Sequence, residues 1–251
     1  MSRTLKEEEH TLKRNEILDV AQRLVYIQGY EQMAIQDILD ELHISKGAFY
    51  HYFDSKQDLL EALSERMVTE VEKILVPIVE DSTLRAEEKM RLYFNTAANW
   101  KTAQKPFIMA LLRVWYSEDN AILRHKLLAI TTKRVGPEIT KIVEQGIEEG
   151  VFSSRYPDQI GEILPAIAEG ISERMIRLLL SIDQHPELKP ELVRQVDAYI
   201  ETIERVLGAP PGSFALNGSD WLEHWINAPE NRPPGEAMDP QVSLDVTNEH
   251  T

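Results

Sequence analysis

The sequence predicts an all-α protein, and three observations support this fold class. Apolar residues recur with helical spacing along most of the chain, as at Ile17, Ala21, Leu24 and Val25. No alternating pattern long enough for a β-strand is present. Glycine, proline and serine stand at the breaks between the periodic segments, where loops are expected.

The N-terminal part of the chain predicts three helices in close succession. The first carries the apolar face just described and ends near Gly29, and the second spans about 35–42. A third helix is expected over about 46–52, because the Ser45 hydroxyl can accept a backbone N–H at its start. The turn at 43–45 is short, so the last two helices lie next to each other.

Longer helices are predicted for the middle of the chain. Ser55 is a suitable cap for a fourth helix, which we expect to end or kink at Pro77. Further helices are expected at about 84–103, 107–116, 120–149, 158–183 and 190–206.

The composition excludes several classes of protein. The chain has 251 residues, enough for one or two domains, and no cysteine, which excludes disulfide scaffolds, cysteine-ligated metals and thiol nucleophiles. P-loop, HExxH and nucleophile-elbow motifs are absent, and the seven histidines are scattered. We therefore expect no enzyme, no cofactor, no catalytic residue and no metal site.

The sequence also predicts a soluble, cytoplasmic protein. The N-terminus lacks the apolar core of a signal peptide. No apolar run approaches the roughly 18 residues that a membrane span needs. We therefore expect no membrane partner.

The net charge of −15 argues at first against nucleic acid as a partner, because phosphate binding depends on Lys and Arg. The charge is unevenly distributed, however. Residues 208–251 carry a net charge of −6 and residues 1–56 only −3, while the stretch 42–53 includes Lys46 and no acidic residue. Since salt screens distant charges, a surface formed by 42–53 can meet phosphate despite the acidity elsewhere.

The second and third predicted helices have the arrangement of a helix-turn-helix unit, whose last helix lies in the DNA major groove. The third helix carries small and polar residues that suit such a surface, namely Lys46, Gly47, Ala48, Tyr50, His51 and Tyr52. The alternative is the corner of a plain helical bundle, with Tyr50 and Tyr52 half-buried. Gly47 favours DNA, because a bundle corner has no need for a glycine inside a helix.

One run of sequence is more specific than the helical pattern. The letters SKGAFYHYFDSKQDLL begin at Ser45, and Gly29-Tyr30 and Asp37-Ile38 precede them. With these residues the segment 14–60 resembles the DNA-binding domain of TetR/AcrR-type bacterial transcriptional regulators. The resemblance implies an all-α homodimer with an N-terminal three-helix helix-turn-helix domain that binds double-stranded DNA and a C-terminal helical domain for ligand binding and dimerisation. The residues it implies at the DNA are Gln36, Ser45, Lys46, Gly47, Ala48, Tyr50, His51, Tyr52 and Lys56.

The chain departs from the family pattern at three places. Met33-Ala34 stand where the family often has a threonine that contacts phosphate. Leu39 replaces a usual alanine, and Leu42-His43 replace Ala-Gly before the turn. The operator sequence therefore does not follow from the resemblance.

We expect three parts in the chain. A DNA-binding domain spans 8–56 and is linked through a helix over 56–76 to an effector-binding and dimerisation domain over 57–207. An acidic, proline-rich tail follows at 208–251. The tail contains a tryptophan-rich segment around Trp221, which we expect to dock on the chain's own body, with a partner-binding motif as the alternative.

Two further sets of side chains are candidates for binding. Aromatic residues of the middle region predict an apolar cavity for a small-molecule effector, and the candidates are Trp100, Phe107, Trp115 and Tyr116. Apolar stripes on the last two helices predict that two subunits pair as a four-helix bundle. The candidates for this interface are Leu164, Ile167, Ile171, Met175, Val196, Tyr199 and Ile203. The alternative for both sets is burial inside a single subunit.

These observations together predict an effector-responsive, sequence-specific transcriptional regulator. We expect a repressor that binds a near-palindromic operator and is released by a small hydrophobic ligand. The alternative is a helical ligand-binding protein whose helix-turn-helix does not bind DNA, which the acidity and Met33-Ala34 favour.

Overall fold

A computed structural model describes residues 2–117, 120–182, 184–214 and 218–228. These residues form helices and no strand, which confirms the all-α prediction. A 3₁₀ turn at Pro186–Leu188 accompanies the α-helices. The α-helices are α1 (Ser2–Gln28), α2 (Ile35–Leu42), α3 (Lys46–Tyr50), α4 (Lys56–Glu80), α5 (Ala86–Ala103), α6 (Lys105–Trp115), α7 (Ala121–Glu148), α8 (Pro157–Ser181), α9 (Lys189–Leu207) and α10 (Gly218–Asn227).

Helices α1 to α3 and the start of α4 pack around an apolar core, which we call the head. Ile17, Ile38, Phe49 and Phe53 are almost completely buried in it. On α1, the fully buried residues Ile17, Ala21 and Val25 follow at intervals of four, so they put one side chain per helical turn on the inner face. The remaining faces of the short helices α2 and α3 therefore point outward.

Helix α4 joins the head to the rest of the chain, which we call the body. Leu59 and Leu63, near its start, belong to an apolar cluster that includes the core of the head and extends into α6, whereas Leu75 and Val79 belong to a second cluster formed with α5 and α7 to α9. Ion pairs add to this connection, since Lys126 on α7 lies 2.8 Å from Glu61. Head and body therefore share one helix, and the division between them falls inside α4.

The end of α4 differs from the sequence prediction. Of the two outcomes expected at Pro77, an end or a kink of the helix, the first is wrong, because α4 continues to Glu80. Pro77 lies in the last turn, where the loss of one backbone N–H removes only one helical hydrogen bond. The buried Lys89 ammonium satisfies a carbonyl there, because its Nζ donates to the carbonyl oxygen of Val79 at 2.7 Å.

Helices α7 and α8 form the closest helix pair of the body. A Cβ placed on Gly161 would lie 2.3 Å from the carbonyl oxygen of Gly136. A Cβ placed on Gly136 would lie 2.7 Å from the carbonyl oxygen of Gly161. The two backbones therefore approach each other at a distance that only glycine permits. This contact fixes α8 on α7.

The chain after α9 folds back on the body. The carboxylate of Glu204, itself buried, accepts hydrogen bonds from the backbone N–H of Gly212 at 3.0 Å and of Phe214 at 3.1 Å. Phe214 is buried against Phe152, with ring centroids 5.9 Å apart. This turn carries the chain towards α10.

Helix α10 packs on α9 and α5. This contact buries the apolar face that the sequence predicts around Trp221. Leu222 and Trp225 are buried, and Trp221 is half-buried with its ring 5.8 Å from that of Trp225. Lys105, the first residue of α6, donates from Nζ to the carbonyl oxygen of Ile226 at 3.3 Å. Residues 215–217 and 229–251 of the predicted tail lie outside the described residues.

Candidate DNA interface

The start of α3 is fixed by the cap that the sequence predicts. Ser45 has extended backbone geometry, and its Oγ accepts from the backbone N–H of Ala48 at 3.2 Å. His43, in the turn before it, adopts left-handed geometry with φ of 51°. On the inner side of α3, Phe49 is fully buried in the head. The helix is therefore held from beneath and from its N-terminus.

The outer face of α3 presents the residues predicted to meet DNA. Lys46 and Gly47 are exposed, Ala48 is half-buried, and the side chain of Tyr50 is 41% exposed. The Lys46 ammonium lies 5.9 Å from the centre of the Tyr50 ring. A cation and a phenol are thus side by side on one exposed helical turn, a combination that suits phosphate and base edges.

Gly47 has space around it. A Cβ built at this position would meet only the Oγ of Ser45, at 3.9 Å, an ordinary van der Waals distance. Its backbone does not have a positive φ either. Nothing in the described part of the chain therefore requires a glycine there, and a close approach from outside would explain it.

His51 and Tyr52 follow directly after α3. His51 is exposed and Tyr52 is half-buried, with ring centroids 5.1 Å apart. The backbone N–H of Tyr52 donates to the carbonyl oxygen of Phe49 at 2.9 Å, which continues the helical course of the chain. Both rings therefore lie at the C-terminal end of the exposed face.

The other two predicted DNA residues have partners within the chain. Gln36 is exposed and donates from Nε2 to Asp40 at 2.6 Å. Lys56 was expected at the DNA surface, but its Nζ donates to the carbonyl oxygen of Glu31 at 3.2 Å and lies 4.4 Å from the centre of the Tyr30 ring. Burial lowers the pKa of the Lys56 ammonium. Its side chain therefore points into the chain's own turn, because Tyr30 offers it a π-face.

Tyr30 is fixed in return by the backbone of α4. Its hydroxyl donates to the carbonyl oxygen of Lys56 at 3.0 Å. Burial, with a smaller effect from the neighbouring Glu31, raises the pKa of Tyr30 to about 12. The pair therefore ties the end of α1 to the start of α4.

The start of α2 lacks the threonine that the family often has, and a carboxylate makes part of the cap. Ala34 is the N-cap and makes no side-chain cap hydrogen bond. The Asp37 carboxylate accepts from the backbone N–H of Ala34 at 2.8 Å and from Nε2 of Gln28 at 3.0 Å. Half of a capping arrangement is therefore present, and the hydroxyl half is missing.

The predicted effector residues belong to or pack against a single apolar cluster, which also includes the core of the head. Phe107 and Trp115 on α6 are buried, whereas Trp100 and Tyr116 are half-buried. The indole Nε1 of Trp115 is buried and has no hydrogen-bond partner among the described residues. Helix α6 also contacts α1. The candidate effector region is thus in direct contact with the head.

A cation borders this region. The Arg124 guanidinium lies 5.2 Å from the centre of the Tyr116 ring, and its Nη1 donates to the carbonyl oxygen of Trp115 at 2.8 Å. The guanidinium thus covers the C-terminal end of α6, where a positive charge is favourable.

The structure divides the residues predicted for the dimer interface. Three of them are buried in the chain's own core and are not available to a partner, namely Leu164, Val196 and Ile203. They lie on the inner side of each stripe, where α8 and α9 pack on the body. Ile167, Met175 and Tyr199 are half-buried, and burial raises the pKa of Tyr199 to about 12. The side chain of Ile171 is outside the described residues.

His10 was not predicted and lies beside the candidate DNA face. Its ring centroid is 4.7 Å from that of Tyr52 and 5.5 Å from that of His51. The only signal in the sequence is the helical spacing from His10 through Arg14 to Ile17, which extends the inner face of α1 towards the N-terminus.

Family models match two separate parts of the chain. The N-terminal model, described as bacterial regulatory proteins of the tetR family, matches residues 17–63. A second model, described as a tetracyclin repressor-like C-terminal domain, matches residues 113–173. The chain belongs to the TetR family of bacterial regulatory proteins. Regulators of this family bind operator DNA and small-molecule effectors and act as dimers.

Individual relatives of this TetR-family chain are also regulators. It is 24% identical over 163 residues to the HTH-type transcriptional repressor DhaR of Mycobacterium sp. (strain GP1), which covers 64% of this chain and 81% of DhaR. It is 24% identical over 137 residues to the HTH-type transcriptional repressor NemR of Escherichia coli (strain K12), covering 55% and 68%. These relatives are named as transcriptional regulators and not as enzymes.

Solved structures share the fold. RolR in complex with the ligand resorcinol matches with a TM-score of 0.57 at 16% identity, covering 90% of this chain and 99% of RolR. A TetR-family transcriptional regulator from Pectobacterium atrosepticum matches with a TM-score of 0.56 at 16% identity, covering 81% and 98%. The helical arrangement is therefore that of TetR-family proteins.

The described part of the chain holds neither a metal-binding cluster nor a helix suited to a membrane. Within the described ranges, no three histidine, aspartate or glutamate side chains are grouped as a metal ion would require. Among the helices that the structure describes, none is both long and apolar enough to cross a membrane.

Proposed function

We propose that this DNA-binding regulator is a dimeric, effector-responsive repressor, without enzymatic activity, that binds a near-palindromic operator in the cytoplasm. The observation that carries the proposal is the exposed face of α3, where Lys46, Gly47 and Tyr50 stand above the fully buried Phe49. A two-fold dimer presents two such faces, and their separation sets the spacing of the operator half-sites. The names of the repressors DhaR and NemR support repression as the outcome of binding.

The proposed effector site lies around Trp100, Phe107, Trp115 and Tyr116. The buried and unpartnered indole N–H of Trp115 supports a ligand that is mainly apolar and carries one hydrogen-bond acceptor. Because α6 contacts α1, a ligand that binds better to one position of α6 shifts the population of head positions. The operator is then released when the favoured separation of the two heads no longer fits.

The test of DNA binding is a titration with the DNA that lies upstream of the gene encoding this chain. Fluorescence anisotropy measures the binding at several salt concentrations. We expect the double variant Lys46→Ala, Tyr50→Ala to lose about 100-fold or more in operator affinity, because each base or phosphate contact contributes about 1–3 kcal/mol and two subunits lose them. The control is Lys133→Ala, Tyr156→Ala, which removes one exposed lysine and one exposed tyrosine from the body. Retained affinity in the first variant would exclude α3 as the recognition element.

A second candidate function is ligand binding without DNA binding. The net charge of −15 and the missing hydroxyl at Ala34 favour it. In that case the unmodified chain shows no salt-dependent binding to its upstream DNA while an apolar ligand still raises its melting temperature.

A further inference from the structure

The inner face of α1 extends beyond the part of the chain that the family model covers. The model begins at residue 17, whereas α1 begins at Ser2. His10, Arg14, Ile17 and Ala21 follow one another at intervals of four, three and four residues, so they lie on one face of the helix. This face continues for two helical turns before Ile17, where Arg14 is half-buried and His10 is exposed at the edge of the head.

These two turns contact the residues at the end of α3. The His10 ring packs on Tyr52 at 4.7 Å with an interplanar angle of 43°, and on His51 at 5.5 Å with an angle of 79°. One turn further along, the Arg14 guanidinium lies 5.0 Å from the centre of the Phe53 ring. Each of the three residues after α3 is thus touched by α1.

Such support matters because α3 is short. It has five residues, and a helix of this length has no stability of its own. Phe49 anchors it from beneath, and the Ser45 cap fixes its start. The direction of the two rings at its end depends on whatever packs against them from the side, and His10 occupies that position.

We propose that His10 is a positioning residue of the DNA interface. Its ring packing holds Tyr52 and His51 in the orientation in which they meet the duplex. The inference rests on the proposed function of the α3 face and adds the N-terminal turns of α1 to it. The role is one of packing, so a flat apolar ring at position 10 serves as well as an imidazole.

The experiment compares His10→Ala and His10→Phe in the full chain, with operator DNA and with unrelated DNA of equal length. We expect His10→Ala to weaken operator binding about five- to tenfold, which is the effect of losing a pair of aromatic contacts. His10→Phe restores the affinity. Binding to unrelated DNA and the slope of log affinity against log salt stay unchanged in both variants, because no phosphate contact is removed.

Leu12→Ala is the matched control, because Leu12 lies in the same extension and its side chain is 65% exposed. We expect it to bind the operator like the unmodified chain. Full affinity in His10→Ala overturns the inference. An equal loss in His10→Ala and His10→Phe also overturns it, because the imidazole would then contact DNA directly.

These failures are distinct from a failure of the proposed function. If the unmodified chain does not bind its operator, or if the Lys46→Ala, Tyr50→Ala variant binds normally, the α3 face is not the DNA interface. If both of those tests succeed and His10→Ala has no effect, only the role of His10 is wrong.

Discussion

At the scale of single residues, the turn between α2 and α3 contains a backbone strain. His43 is the only non-glycine residue with a positive φ in the described part of the chain. A Cβ in this left-handed region collides with the following carbonyl, at a cost of about 1–2 kcal/mol. The turn nevertheless satisfies the end of α2, because the N–H groups of His43 and Ile44 donate to the carbonyl oxygen of Leu39.

We therefore predict that His43→Gly stabilises the protein by about 1 kcal/mol, since glycine adopts this conformation without the Cβ penalty. Urea denaturation of the full chain followed by circular dichroism measures the change. His43→Ala is the control, because it keeps the Cβ and gains nothing. A loss of stability in the glycine variant would indicate that the imidazole makes a stabilising contact of its own.

Local spacing was sufficient to predict the exposed face of α3, because Ser45, Phe49 and Phe53 fix the inner side of a short helix. It was insufficient for Lys56, whose aromatic partner Tyr30 lies 26 residues earlier in the chain. It was equally insufficient for His10, because local spacing does not show that a residue near the start of α1 packs against the rings of His51 and Tyr52. Contacts between distant residues decide both cases.

At the scale of elements, α10 illustrates how an amphipathic segment in a polar tail finds its place. Its apolar face was visible in the sequence, but its partners α9 and α5 were not, because loop geometry determines where a tail returns. The carboxylate of Glu204 supplies that geometry by binding two backbone N–H groups of the turn. The segment therefore completes the apolar cluster that also contains α6.

We predict that Trp225→Ala lowers the free energy of unfolding by about 3–5 kcal/mol, the usual effect of truncating a buried large side chain. The Trp225 side chain is 3% exposed, whereas Trp221 is only half-buried. Trp221→Ala is therefore the comparison, with a smaller expected loss. Thermal unfolding by calorimetry measures both, and equal losses would contradict the observed difference in burial.

At the scale of the whole molecule, the proposed repression requires two heads at a fixed separation. Helical periodicity predicted the two stripes on α8 and α9, but not how much of each stripe the subunit buries itself. Leu164, Val196 and Ile203 lie inside, which leaves Ile167, Met175 and Tyr199 nearer the surface. We propose that these half-buried side chains form the centre of the interface.

We predict that Ile167→Glu dissociates the dimer at micromolar concentration, because a carboxylate at the centre of an apolar interface loses its hydration. Operator affinity then falls by about 100-fold or more, while binding to a single half-site is unchanged. Sedimentation and anisotropy measure the two effects. Ile122→Glu is the control, since Ile122 is exposed on α7 and its substitution changes the charge equally. If the Ile167→Glu variant remains dimeric, Ile167 is not at the interface.

The open space at Gly47 has an evolutionary consequence. Folding alone favours alanine there by about 0.5–1 kcal/mol, because glycine weakens a helix. The surrounding atoms leave room for the methyl group. If the α3 face binds the operator as proposed, selection for stability and selection for operator binding act in opposite directions on this one position. In a lineage that loses its operator, drift from glycine to alanine at position 47 would be among the first marks of that loss.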